Sequence, residues 1–492
     1  MTAVEERPAI RPEVPPGQLF IGGRRQEAAA RFDAVDPATG RVLTTLARGS
    51  AADVDAAVGA ARAAFEGWAA TSGRERARIL HRVADLVRGR ADDLVAVESA
   101  DVGKPVSLCR TVDVETVAEQ YEYYSALAQS VDGATRQIPI SSHAYTRREP
   151  LGVVAAVTPF NFPLVLSSSK IAPALAAGNT VVHKPAEDAS LSALLMAEIL
   201  TEAGVPGGVV NVVTGFGTEI GDALITHPGV DKIAFTGSTA VGRHVARVAG
   251  DRLKPVTLEL GGNAAHLVFD DADVEQAVHA AIKAFVFNTG QFCMGGPRLL
   301  VADALHDTIL DALAEAVPQV PVGDPFDPAT VVGPMAGERH RAKVEQYLEQ
   351  ARADGGRIVA GGGRPALDGD LAGGFFVQPT VIADLPSGSR VIGEEIFGPV
   401  LTVQRFTTED EAVALANSTP YGLAAGLQTT NLARAHRVAA RLQAGIVWVN
   451  DWAMLDPALP FGGVKDSGFG REYGPESLDA YTKTKSVVVS LA

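Results

Sequence analysis

Apolar residues recur three and four apart between Asp53 and Trp68, where Val54, Val58, Ala61, Phe65 and Trp68 share one face. This spacing predicts a packing helix with Ser50 as its N-cap. Ile79, Leu80, Val83, Leu86 and Val87 repeat the pattern, and Val117, Tyr121, Tyr124 and Leu127 carry it through a third helix over 111–129. Aromatic side chains at helical spacing are read as core, and Cys109, where the third helix begins, as a structural thiol.

From Gly152 the pattern changes to short β-rich runs over 152–157, 180–183, 209–213, 232–235 and 256–260, with helical segments such as 190–203 and 239–248 between them. Strands that alternate with helices predict parallel βαβ units, hence an α/β fold with helices on both faces of the sheet. The second half continues the theme with helices over 273–287, 338–353, 409–417 and 432–443 and strands over 299–301, 357–360, 400–406 and 446–450. The stretch 137–150 is β-like and polar, as in an outlying hairpin. The short apolar run 487–490 suits a strand that pairs with another subunit's edge.

Length adds that one core is not enough: 492 residues predict two or three domains. A net charge of −15 argues against a nucleic-acid-binding face, because that affinity rests on cations neutralising phosphates. Residues 1–17 carry prolines and charges without an apolar segment and are read as a flexible arm, not a signal peptide. No apolar run approaches the roughly 20 residues needed to span a bilayer, so no membrane partner is expected. Two cysteines make no disulfide framework and suit a reducing, cytoplasmic setting. The ten histidines show no metal-ligand spacing, and no metal is expected.

Ligands of parallel α/β sheets bind beyond the carboxyl ends of the strands, and here those ends are polar or glycine-rich. They carry Thr158-Pro159-Phe160-Asn161-Phe162-Pro163, Lys184-Pro185-Ala186-Glu187, Thr214-Gly215-Phe216-Gly217, Thr236-Gly237-Ser238-Thr239 and Gly261-Gly262 in turn. One such turn means little; five in succession suggest an extended ligand such as a dinucleotide. The second cysteine ends the small, polar run Phe287-Asn288-Thr289-Gly290-Gln291-Phe292-Cys293, where a thiol can reach a ligand.

Taken in order, TPFNFP at 158–163, KPAE at 184–187, FTGST at 235–239, ELGG at 259–262, FNTGQFC at 287–293, EEIFGPV at 394–400 and PFGGVKDSGFGRE at 460–472 resemble the aldehyde dehydrogenase superfamily. The resemblance runs from Leu19 to the C-terminus. It implies a Rossmann-type NAD-binding domain (18–127 and 151–261), an α/β catalytic domain (262–461) and a small β extension (128–150 and 478–492) that assembles a homodimer or homotetramer.

In such an enzyme a thiolate adds to the aldehyde and creates the sp3 carbon from which hydride leaves. The resemblance assigns that role to Cys293, oxyanion donation to the Asn161 amide and the Cys293 backbone N–H, and activation of the deacylating water to Glu259. The branch that passes the acyl group to coenzyme A typically lacks a base at this position, so Glu259 implies hydrolysis. Lys170 and Glu472 fall at positions proposed to relay the proton outward; an ordinary salt bridge reads almost as well.

For the cofactor the resemblance places Lys184 and Glu187 on the adenosine ribose, Ser238 on the pyrophosphate, and Glu395 and Phe397 on the nicotinamide riboside. Thr158, Pro159, Phe160, Gly217, Phe235 and Leu260 fall in the same cofactor-facing stretches. A carboxylate at Glu187 accepts from a 2′-hydroxyl and repels a 2′-phosphate, which favours NAD over NADP. The aldehyde tunnel corresponds to Leu166, Ser169, Phe292, Met294 and the loop 451–459, including Asp451, Trp452 and Leu455. Ser169 replaces the aromatic that many relatives carry, which widens the tunnel. Phe292, Trp452, Met454 and Leu455 suggest an apolar or aromatic aldehyde, Asp451 and Asp456 a cationic aminoaldehyde. A thiol-dependent esterase is a further alternative.

Overall fold

The computed structural model describes residues 11–491. Its first sheet has eight strands in the spatial order Gly468–Phe469, Val256–Glu259, Lys232–Thr236, Val153–Val157, Thr180–Lys184, Val210–Val212, Leu19–Ile21 and Arg24–Gln26. The five from Val256–Glu259 to Val210–Val212 run parallel, and antiparallel pairs close both edges. Their buried Val and Ala residues face helices on both sides of the sheet, the arrangement that the runs of β-branched residues predict. The Ser50 cap forms a full capping box with Asp53 at the head of Ala51–Ala70.

The second sheet has seven strands in the order Arg357–Ala360, Thr380–Ala383, Val400–Phe406, Arg298–Ala302, Ala265–Val268, Ala424–Gln428 and Ile446–Val449, parallel except for the first. A third, antiparallel sheet joins Thr135–Arg136, Ser142–Pro150 and Thr482–Ser490. The run 487–490, read as a strand suited to a foreign edge, thus finds its first partner within the chain: Val487 lies opposite Tyr145. It remains an edge strand, with Val488 and Val489 exposed.

Two expectations are corrected, and one helix goes unsignalled. Of the arm 1–17, residues 1–10 lie outside the described residues. The remainder is laid against the body: Arg11 donates to Asp36 and, at 2.9 Å, to Asp324, and the Gly17 N–H bonds the Thr45 carbonyl at 2.8 Å. The third helix is not continuous from Thr111, because Cys109–Val114 winds as a wider π-helical turn before Glu115–Leu127. Pro163–Ala177 is a helix that the periodicity does not signal, since every position but Leu166 is buried and no polar face breaks the pattern.

Candidate active site

The strand Val153–Val157 leads into a loop that the helix Pro163–Ala177 terminates, with Pro163 in its first turn. At its start the Thr158 hydroxyl bonds His183 Nε2 at 2.8 Å. Burial, then Lys184 and Lys170, hold that imidazole's pKa down to about 3, so it is neutral. Asn161 is buried at the loop's centre; its Nδ2 donates to the Gln291 carbonyl at 3.0 Å, while its Oδ1 is buried without a partner. An amide nitrogen has two protons, so one remains to give.

The cysteine turn is strained. Asn288, Thr289 and Gly290 have φ of 50°, 57° and 68°, three left-handed residues in succession, one of them β-branched. Gly290 takes this conformation freely, but the two non-glycine residues cost on the order of 1–3 kcal/mol each unless their surroundings hold them. Here Asn288 Nδ2 donates to the Asn161 carbonyl at 2.7 Å and Thr289 Oγ1 to the Gly333 carbonyl at 3.2 Å, while Gln291 Oε1 accepts from the Ala336 N–H at 3.0 Å. Gly262 is what lets the turn close on the first sheet, since a Cβ there would lie 2.2 Å from the Cys293 carbonyl oxygen. Cys293 as a residue is partly exposed. Burial, then Glu395 and Glu259, push its thiol up to about 12.

Glu259 ends the strand Val256–Glu259; it is buried, and neither carboxylate oxygen has a partner. Burial, then Glu472, hold its pKa well above the ordinary carboxyl range. A Cβ on Gly462 would come within 2.8 Å of Oε1, so the carboxylate's space depends on that glycine. Lys170 Nζ binds Glu472 Oε1 and, at 2.6 Å, Thr236 Oγ1, and Ser169 Oγ donates to Glu472 Oε2 at 2.7 Å. These four side chains are buried, so the pair is not a surface salt bridge.

A cavity of about 280 Å³ opens beside the thiol. Of the residues named from sequence, Pro159, Phe160, Asn161, Ser238, Leu260, Cys293, Glu395 and Phe397 line it. Glu395 Oε1 accepts from the Gly262 N–H at 2.9 Å, and burial raises its pKa to about 7. The rings of Phe160 and Phe397 meet edge to face at 5.9 Å. Ser238 caps the helix Thr239–Asp251, its Oγ taking the Val241 N–H at 3.4 Å, so the helix N-terminus faces the cavity edge. Lys184 Nζ lies 3.7 Å from Glu187, and Gly217, lacking a side chain, stands beside the lysine stem. Phe235 is buried beneath Gly237.

These surroundings fit a dinucleotide. A Cβ on Gly261 would lie 2.4 Å from Glu395 Oε2, so the backbone there must stay bare, and the helix N-terminus and Lys184 supply positive potential for phosphate and ribose. Sequence reasoning missed His340 and Lys343, which line the same cavity, and Arg339, whose Nη1 reaches Glu187 at 3.1 Å. Their helix Glu338–Ala353 reads only as amphipathic, so polar residues in its first turn look like a solvated face.

The expected tunnel residues divide. Phe292 and Met294 are buried beside the thiol, with Leu166 packed against the same cluster. Trp452 is fully buried: its Nε1 donates to the Met294 carbonyl at 3.0 Å and its ring packs on His266 and Trp448. Ser169 has no exposed surface either. Neither side chain can touch a tunnel ligand in this conformation; they support the turn and Glu472 instead. Asp451 pairs with Lys283 at 3.0 Å and caps the Trp452 N–H at 2.6 Å, while Leu455 is exposed.

Residues 24–487 match the description "Aldehyde dehydrogenase family". The chain belongs to that family. Among solved aldehyde dehydrogenase structures it is similar to the NAD+ complex of the Bacillus cereus enzyme, with 41% identity, TM-score 0.94 and 97% of each chain covered. PnpE from Pseudomonas sp. WBC-3 shares 43% identity at TM-score 0.95, covering 97% of this chain and 98% of that one, and PnpE has also been solved in complex with nicotinamide adenine dinucleotide. An indole-3-acetaldehyde dehydrogenase of P. syringae, AldA, solved with NAD+ and IAA, shares 39% at TM-score 0.94, covering 96% and 97%. This aldehyde dehydrogenase is accordingly an NAD(P)-dependent oxidoreductase of α/β fold. No helix among the described residues is long and apolar enough to cross a membrane.

Proposed function

We propose that the enzyme oxidises an apolar or aromatic aldehyde to its carboxylic acid through a covalent adduct on Cys293. The observation that carries this reading is that Cys293 and Asn161 line one cavity together with Ser238, Glu395 and Phe397, with an unpartnered Glu259 carboxylate close enough to influence the thiol. The thiolate adds to the carbonyl carbon and gives a thiohemiacetal whose oxyanion takes the free Asn161 N–H and the Cys293 backbone N–H. When bound, the nicotinamide supplies the hydride acceptor. Glu259 then takes a proton from water as that water attacks the thioester. A carboxyl held well above its ordinary pKa and free of hydrogen bonds is suited to act as a base near neutrality. Lys170 and Glu472 pass the proton outward, a role that their burial favours over a surface pair.

In this reading Lys184, Glu187 and Arg339 hold the adenosine ribose, Ser238 and its helix the pyrophosphate, and Glu395 and Phe397 the nicotinamide riboside. Phe292, Met294 and Leu166 favour an apolar substrate, and pairing of Asp451 with Lys283 leaves it less free for the cationic group of an aminoaldehyde. Assembly as a homodimer or homotetramer would use the third sheet. The cytoplasm remains the proposed setting.

Asn161→Ala should leave NAD binding intact and lower the rate of acyl-enzyme formation by about 100-fold or more, the effect of removing one oxyanion donor. Stopped-flow NADH absorbance reads this directly. Substrate class is tested by kcat/KM over aliphatic, aromatic, amino and carboxylated aldehydes with NAD and NADP. Preference for an aminoaldehyde would overturn the apolar assignment, and ester turnover without NADH formation from any aldehyde would favour the esterase.

A further inference from the structure

The π-helical turn Cys109–Val114 wraps one buried ammonium. Lys104 Nζ lies 3.0 Å from Glu98 Oε1 and 2.7 Å from Asp113 Oδ1, and all three side chains are wholly sequestered from solvent. Glu98 Oε2 and Asp113 Oδ2 have no partners. Such a group is a poor stabiliser: desolvating three charges offsets most of their attraction, and apolar replacements of similar volume are often as stable. Burial would lower the Lys104 pKa, but Asp113 and Glu98 outweigh it, so the ammonium stays charged. Glu98, Cys109 and Asp113 offer atoms within 4.8 Å of one another, as a metal site does, yet the ammonium already bonds two of them.

What the ammonium faces is the active site's support. Nζ stands 4.1 Å from the centroid of the Phe162 ring. Phe162 immediately follows Asn161, and its ring packs on Phe287 at 6.1 Å and on Phe292 at 5.6 Å, the first and sixth residues of the cysteine turn. A cation over an aromatic face is attracted by the ring quadrupole, more strongly where both are desolvated as here. The backbone takes a parallel route. Gly103, with φ of 73°, packs against Pro334, and a Cβ on Gly333 would lie 2.2 Å from the Gly103 carbonyl oxygen. Gly333 in turn accepts from Thr289, and Ala336 donates to Gln291.

We propose that Lys104, fixed by Glu98 and Asp113, is a positioning residue that holds Phe162 against Phe287 and Phe292 and thereby sets Asn161 relative to Cys293. This rests on reading Asn161 and Cys293 as oxyanion donor and nucleophile. Lys104 touches no substrate; it fixes the ring between the two segments that do the chemistry. A displacement of about 1 Å there is enough to cost on the order of 100-fold in rate.

The test compares full-length wild type, Lys104→Met, the charge-free triple variant Glu98→Gln/Lys104→Met/Asp113→Asn, and Phe162→Leu. Readouts are melting temperature, its rise with NAD, and the rate constant of the NADH burst. Lys104→Met strands two carboxylates and is expected to melt lower, whereas the triple variant should recover most of that loss. The expected result is a burst at least about tenfold slower in the triple variant and in Phe162→Leu, with the NAD-induced melting shift unchanged. Adding Phe162→Leu to the triple variant should slow it little further, because both act through one ring. A burst within twofold of wild type in a folded triple variant overturns the proposal, as do losses that multiply in the combination. Should neither lysine variant fold, a wild-type burst in Phe162→Leu overturns it equally. Where wild type shows no burst, the same comparison is read from the single-turnover rate of NADH formation; NADH formation that survives Cys293→Ala would instead indict the Cys293 mechanism itself.

Discussion

Cys293→Ala should abolish aldehyde oxidation, with a fall on the order of 10⁴-fold or more, while NAD still raises the melting temperature. The separation follows from the division of roles: Cys293 is one of the residues that line the cavity, and the groups assigned to ribose and pyrophosphate are other side chains that stay in place without the sulfur. Retained turnover would end the assignment. A companion measurement uses the thiol's protonation. Burial and the carboxylates Glu395 and Glu259 push the Cys293 thiol up to about 12, so well below that value the thiolate fraction rises tenfold per pH unit. Iodoacetamide labelling of the enzyme without ligands should therefore accelerate about tenfold from pH 7 to pH 8. A flat profile would mean that the resting thiol is already ionised.

Glu259→Gln is expected to give one equivalent of NADH as a burst and then steady turnover slower by about 10²–10⁴-fold. The amide keeps the shape but cannot accept a proton from water, so the thioester accumulates and mass spectrometry should find acylated Cys293. The fold should not weaken. Burial and Glu472 disfavour the ionised carboxyl, and a neutral amide removes that burden. A variant that is stable, bursts and then stalls locates the defect in deacylation; one with normal steady turnover removes Glu259 from the mechanism.

Much of the fold is legible along the chain because the parallel strands are β-branched and end in glycine-rich turns. The loops at Thr158, Lys184, Thr236 and Gly261 form a series in the sequence itself, independent of strand order. What escaped has physical causes. Pro163–Ala177 is buried on nearly every side and shows no amphipathic period, and the return of Gly468–Phe469 to the first sheet is a two-residue pairing that no local pattern announces. His340 and Lys343 come from a helix more than 40 residues beyond Cys293 in the chain, so only folding brings them to the cavity. Trp452 misled for a different reason: it follows Asp451 in a loop with the right neighbours, but its indole turns inward to the Met294 carbonyl.

The three left-handed residues before the thiol also bear on the order in which the molecule is made. Their contacts reach Asn161 on the first half and Gly333 on the second, and Gly290 abuts Gly398, where a Cβ would come within 2.2 Å. A turn that is unfavourable alone and held by partners on both halves cannot settle before the halves dock. During synthesis or refolding the protein should regain its secondary structure first and the placement of its nucleophile last, so a chain caught part-way is folded in outline yet catalytically silent.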